Sequence, residues 1–267
     1  MTKHPLLSAL ALIALAAPAA AESTRAKQAI IVDHPGGRVL FGKAEDVAMA
    51  PSSLTKLMTL YLAFEALKEG RVSETAAVKV SKRAAAARGS SMDLAAGATV
   101  PFGELVRGAA ITSANDAAVS IAEHLAKSEA AFAKMMTATA REIGLAGSRF
   151  ANATGHTAKD HRMTAADVAK LAALTLQRHP ERYRMFGERE LRFRNQTYPN
   201  RNPLLGSYAG ADGVKTGMTS AGGYGIAASA MRDGKRLILV INGLPSEEAR
   251  AAEARRLLDW GFARLSR

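Results

Sequence analysis

The chain has 267 residues, 48% of them hydrophobic and 22% charged, which excludes a disordered protein and suffices for one large domain or two small ones. It has no cysteine, so a disulfide framework and a thiolate metal site are both ruled out. The formal charge of +12 favours polyanions at long range, but the basic residues are scattered without interleaved aromatics and no nucleic-acid motif is present. A generally basic, solvated surface accounts for that charge as well as a specific polyanion site does.

Lys3 and His4 form a short n-region, Leu6 to Ala17 an apolar run, and Ala19-Ala20-Ala21 a small-residue cleavage site. The pattern predicts a signal peptide over 1–21 and a mature domain over 22–267, with a charge of +11 once Lys3 is removed. The apolar run is too short for an ordinary span, and no later run approaches it. The mature chain is therefore expected to be exported with no transmembrane span, an uncleaved anchor being the alternative. Outside the cytoplasm the available polyanions are wall polymers and lipid headgroups.

Gln28 to Asp33 alternates as a strand, Pro35-Gly36-Gly37 turns the chain, and Arg38 to Gly42 completes a β-hairpin. A helix is expected from Pro51 to about Glu69, stopped by Gly70, with Leu54, Leu57, Met58, Tyr61, Leu62 and Leu67 on one apolar face. Residues 81–91 read as a basic loop of small residues. Pro101 opens a helical pattern through Leu105, Val106 and Ala109. Four polar residues in Thr112-Ser113-Ala114-Asn115-Asp116 then break its register, before helix resumes to about Lys127 and again over 129–144. Asn152 to His156 is a loop, and Thr164 caps a helix to about Gln177. His156 and His161 lack a third ligand at metal spacing and read as loop histidines, with no metal or other cofactor expected. The sequons at Asn152 and Asn195 read as chance matches.

From Gly210 the pattern turns to β: Asp212 to Gly217, Gly223 to Ala230, a turn at Asp233-Gly234, and Arg236 to Asn242. A last helix over 246–265 carries Leu257, Leu258, Trp260 and Phe262, suited to covering a sheet rather than lying on a membrane. The sum is an α+β fold, an antiparallel sheet covered by helices, with hairpins from the two chain termini at its ends and a mainly helical insertion between them.

Ser53 and Lys56 stand three residues apart at a helix start, close enough for hydroxyl and amine to meet. A serine hydroxyl becomes a nucleophile when a neighbouring base takes its proton. Lys56 is that base only when neutral, which requires its pKa to come down from about 10.4 to near neutrality, a change worth about 4 kcal/mol. Burial and a second cation are the usual causes, and Lys215 supplies the cation. Alone, the Ser53/Lys56 spacing is as compatible with a capped helix and a solvated lysine.

Three patterns now stand in order, Ser53-x-x-Lys56, Ser113-Ala114-Asn115 and Lys215-Thr216-Gly217, separated by roughly 60 and 100 residues. This is the trio of penicillin-binding proteins and class A β-lactamases. With the flanks 51–59, 88–94, Ala114-Asn115-Asp116-Ala117 and 212–219, nearly the whole mature chain resembles the serine D-alanyl-D-alanine carboxypeptidases, through Leu257-Leu258-Asp259-Trp260-Gly261-Phe262. The resemblance implies the β-lactamase/penicillin-binding transpeptidase fold, peptidoglycan stem peptides as substrate, and β-lactams as covalent inhibitors. In it Ser53 is the nucleophile, Lys56 its base and Ser113 the proton relay to the leaving group. Asn115 would hold the substrate backbone, Lys215 and Thr216 its terminal carboxylate, and Gly217 would let the peptide approach the strand. The backbone amides of Ser53 and Met218 would form the oxyanion hole, and Arg250 matches the family's carboxylate-binding arginine.

Ala114 replaces a common glycine, and Met218 a common His or Phe. The chain stops after the Trp260-Gly261-Phe262 helix, where many relatives continue into a β-rich domain and an amphipathic anchor. The expected activity is a periplasmic D,D-carboxypeptidase. The alternative is a D,D-endopeptidase opening D-Ala-to-diaminopimelate cross-links. A β-lactamase is disfavoured because no Glu-x-x-Leu-Asn stretch is present, and an idle wall-binding module because the motif residues are intact.

Overall fold

A computed structural model describes residues 23–265; the expected signal peptide over 1–21 lies outside them. The N-terminal hairpin forms as expected, β1 (Gln28–His34) pairing with β2 (Val39–Lys43). A 3₁₀ turn over Ser52–Thr55 leads into α1 (Lys56–Lys68), with Gly70 in the left-handed region just beyond it. There follow β3 (Ala77–Lys79), α2 (Lys82–Ala85), β4 (Thr99–Pro101), α3 (Phe102–Arg107), α4 (Asn115–Ala126), α5 (Glu129–Glu142), α6 (Ala165–Arg178) and α7 (Pro180–Tyr183). The chain closes with β5 (Glu190–Phe193), β6 (Gln196–Pro199), β7 (Ala211–Thr219), β8 (Gly223–Arg232), β9 (Lys235–Leu244) and α8 (Glu247–Leu265).

Five strands form one antiparallel sheet in the order β2-β1-β9-β8-β7, so the N-terminal hairpin makes one edge and β7 the other. The centre of β9, Leu237-Ile238-Leu239-Val240-Ile241, is apolar at every position because both faces of the sheet are covered. Leu237, Leu239 and Ile241 meet Leu257, Leu258 and Phe262 of α8 on one face. Ile238 and Val240 join the larger core, with Val168 and Leu171 of α6, on the other. The covering role expected for the last helix is thus what it does.

Two expectations are corrected, and one feature is new. Helix α1 does not present one apolar face: ten of its thirteen residues are buried, so it runs through the centre of the helical lobe. The buried Thr59 is accommodated by donating to the Ala153 carbonyl at 2.8 Å. The loop expected over 81–91 contains α2, capped by the Ser81 hydroxyl, which accepts from the Ala84 amide at 2.9 Å. Two small ladders, β3–β4 and β5–β6, were unforeseen, since three- and four-residue strands are too short to show a period.

Candidate active site

A cleft of about 260 Å³ opens where the serine turn, the α3–α4 junction, the 152–156 loop, β7 and the start of α8 converge. Ser53 lines it from the 3₁₀ turn. In that geometry side chains at i and i+3 eclipse, which sets Ser53 below Lys56 more directly than an α-helical turn would. Lys56 Nζ lies 3.2 Å from Ser53 Oγ and donates to the Thr154 carbonyl at 2.7 Å. The lysine is completely buried. Burial first, and then the charge of Lys215, hold its pKa well below the ordinary lysine value, while Asp116 opposes them.

The serine turn is seated by two glycines. Gly155 adopts φ +92°, and a Cβ there would stand 1.8 Å from the Ser52 carbonyl oxygen, so only glycine lets the 152–156 loop lie against the turn. At Gly217 a Cβ would sit 3.0 Å from Ser52 Cβ and 3.1 Å from the Pro51 carbonyl. The room this glycine leaves is therefore filled by the serine turn. Gly217 also borders the cleft.

The second motif sits on a local irregularity. Helix α3 passes into a π-helical turn over Gly108–Thr112, and Ser113 follows with φ +64° before α4 begins at Asn115. The register break read from the four polar residues is this kink, a feature that recurs at functional sites. Ser113 Oγ is buried and has no hydrogen-bond partner among the described residues. Asn115 Nδ2 donates to the Arg88 carbonyl and lies 3.3 Å from His156 Nε2, leaving its buried Oδ1 unpartnered. Next to it the fully buried Asp116 accepts from the amides of Met92 and Leu94, both at 3.1 Å, and from Ser91 Oγ at 2.7 Å. These bonds fasten the 88–94 segment to the helix end.

On β7, Lys215 and Thr216 are buried while the Met218 side chain is 54% exposed at the rim. Burial and the guanidinium groups of Arg201 and Arg250 push Lys215 down to about 7. Arg250, in the first turns of α8, is itself buried, with Nε unpartnered among the described residues, a long 3.7 Å contact to Glu247 and its guanidinium 5.9 Å from the Tyr224 ring centroid. All nine residues singled out from the sequence are thus gathered in or directly beneath one cleft.

Sequence reasoning missed Arg201, His156, Thr154 and Glu247, which also line the cleft. Arg201 reaches it because Asn202 Nδ2 ties the preceding loop to the Gly213 carbonyl at 2.9 Å. His161, the other loop histidine, is structural. Its Nδ1 accepts from the Ala151 amide at 3.0 Å, so Nε2 donates to Thr55 Oγ1 at 2.7 Å, and burial lowers its pKa to about 4.

A family model for D-alanyl-D-alanine carboxypeptidases, peptidase S11, matches residues 15–246. The D-alanyl-D-alanine carboxypeptidase DacF of Bacillus subtilis is 36% identical over 89% of this chain, and DacC of Escherichia coli 37% identical over 91%. The chain spans 62% of the length of each. Penicillin binding protein 5 from Haemophilus influenzae superposes with a TM-score of 0.89 at 33% identity, over 92% of this chain and 73% of its own. The S96A mutant of Streptomyces K15 DD-transpeptidase does so with 0.85 at 25% identity, over 91% of this chain and all of its own. No helix among the described residues is long and apolar enough to cross a membrane. The chain belongs to the S11 family of D-alanyl-D-alanine carboxypeptidases.

Proposed function

We propose that this chain is a serine-type D-Ala-D-Ala carboxypeptidase acting on peptidoglycan stem peptides in the periplasm, and that β-lactams acylate it. The observation that carries the reading is the 3.2 Å approach of Ser53 Oγ to a lysine whose burial holds its pKa well below the ordinary lysine value, which favours the neutral amine a base needs. One N–H of that amine is held by the Thr154 carbonyl, which leaves the lone pair for the serine proton. Ser53 Oγ attacks the carbonyl carbon of the penultimate D-Ala as its proton passes to Lys56. The oxyanion is received by the Ser53 amide, in the first turn of a helix where amides lack intrahelical partners, and by the Met218 amide on the edge strand. Collapse expels the terminal D-Ala, whose nitrogen takes the proton from Lys56 through the unpartnered Ser113 hydroxyl. Water then hydrolyses the ester, with Lys56 again as base.

Lys215, Arg201 and Arg250 give one end of the cleft three cationic groups, suited to the terminal carboxylate. An arriving carboxylate raises the pKa of Lys215 and restores its charge. Asn115 Oδ1 is left to accept from the peptide backbone, because its Nδ2 is engaged by Arg88. The test is mass spectrometry of wall fragments after incubation with the protein, offering pentapeptide monomers and cross-linked dimers together. Loss of one D-Ala from monomers, with dimers persisting, is expected. Dimers falling to monomers would replace this reading with an endopeptidase, and no change in either would favour a wall-binding module.

A further inference from the structure

A second cavity, of about 440 Å³, adjoins the catalytic cleft and shares Thr154 and His156 with it as a common wall. Its other lining includes Arg83, Arg88, Glu129 and Asn152. None of these residues enters the chemistry above through its side chain.

The charges in this cavity do not cancel. The buried Glu129 is satisfied on both oxygens, one accepting from the Ala153 amide at 3.0 Å and the other from the Arg83 guanidinium. That pair is neutral, and it braces the 152–156 loop that carries Thr154. Arg88 is different. Its carbonyl is gripped by Asn115 Nδ2 and, at 3.1 Å, by His156 Nε2, so its backbone is fixed at the wall between the two cavities. Its exposed guanidinium has no hydrogen-bond or ion-pair partner among the described residues. An arginine anchored through its backbone with its five donors free is suited to a planar carboxylate, which it can hold with two parallel bonds.

The direction of a bound peptide follows from the cleft. Lys215, Arg201 and Arg250 occupy the β7 and α8 side, so a peptide with its terminal carboxylate there must run its upstream residues away from it. The second cavity lies past His156, on the α2 and α5 side. We propose that this cavity is a subsite for a carboxylate on the acyl-donor part of the peptide, upstream of the scissile bond, and that Arg88 binds it. The proposal rests on the carboxypeptidase reading and deepens it, making the enzyme selective for acidic donor peptides.

The test uses the whole protein and synthetic peptides ending in D-Ala-D-Ala that differ only in glutamate or glutamine at either of the two residues before them. The wild type is expected to turn over one glutamate peptide with kcat/KM about tenfold above its glutamine twin, through KM, the scale of one charge-assisted pair. Arg88→Gln brings that ratio to near one, and Arg88→Glu reverses it. Acylation of every variant by benzylpenicillin reports that the site is assembled. A ratio near one at both positions in wild type, or a preference that survives in Arg88→Gln, overturns the subsite while leaving the carboxypeptidase standing. Absence of a penicillin adduct and of D-Ala release in wild type overturns both.

Discussion

The face of the sheet under α8 and the cleft at its β7 edge carry opposite kinds of interior. Against α8 the contacts are Ala29, Ile31, Leu237, Leu239 and Ile241 with Leu257, Leu258 and Phe262, all buried and apolar. Each large side chain of this kind contributes about 1.5–3 kcal/mol on burial. At the edge where β7 meets the helical lobe, Lys56, Lys215, Ser113 and Asn115 are equally buried. There Ser113 Oγ, Asn115 Oδ1 and Arg250 Nε lack partners among the described residues, and a buried group left so costs about 1–3 kcal/mol. Ser52 and Ser113, both non-glycine, adopt positive φ at the same place. The contrast teaches where stability and chemistry are separated. The α8 face is apolar throughout, whereas the cleft keeps buried polar groups open, which the proposed function assigns to substrate.

The sharpest way to break this division is at Lys56. Lys56→Arg keeps a cation in place but cannot give up its proton, and a drop of about 10²–10⁴-fold in penicillin acylation is expected, read by adduct formation over time. Near-native rates would remove Lys56 as the base. In the native protein acylation should rise with pH as Lys56 sheds its proton. Lys215→Met removes a neighbouring positive charge, makes the protonated form of Lys56 easier to hold, and moves that rise to higher pH. A rise that stays in place would detach the two lysines.

A subtler break leaves every motif residue intact. Gly155→Ala forces a Cβ into the Ser52 carbonyl and lowers acylation about 10²-fold through a displaced serine turn. An unchanged rate constant would show that the turn does not depend on this loop. The mildest effect on chemistry belongs to the α8 face. Leu258→Ala should cost about 2–5 kcal/mol of stability, seen as a lowered Tm. The acylation rate constant of the folded protein should stay within about twofold of native, as for independent sites. A parallel loss of rate would mean that the two regions are coupled.

The same division explains what could be read in the sequence. The strands β1, β2, β7, β8 and β9 announce themselves by alternation in β1, by β-type runs after Gly210, and by the turns at Pro35-Gly36-Gly37 and Asp233-Gly234. The trio around Ser53, Ser113 and Lys215 is legible because the spacing of Ser53 and Lys56 survives as a 3.2 Å contact. Arg201 and His156 were not legible as cleft residues. They belong to no local pattern and arrive through tertiary bonds, Asn202 to Gly213 for one and the Arg88 carbonyl for the other. The surroundings of α1 were misread for a related reason. Its all-round burial depends on what other segments pack there, whereas periodicity reports only the helix itself. Gly217 shows a third limit, since a glycine signals close approach without naming the partner, here the serine turn.

The account rests on Ser53 forming the acyl-enzyme, and one measurement addresses that directly: benzylpenicillin labelling of the whole protein followed by tryptic peptide mass spectrometry. Ring opening adds the entire antibiotic mass to the nucleophile. The account predicts that mass on Ser53, within the peptide spanning residues 44–56, and no adduct in Ser53→Ala at native Tm. A label of equal yield in Ser53→Ala, or one located on another residue, would contradict it.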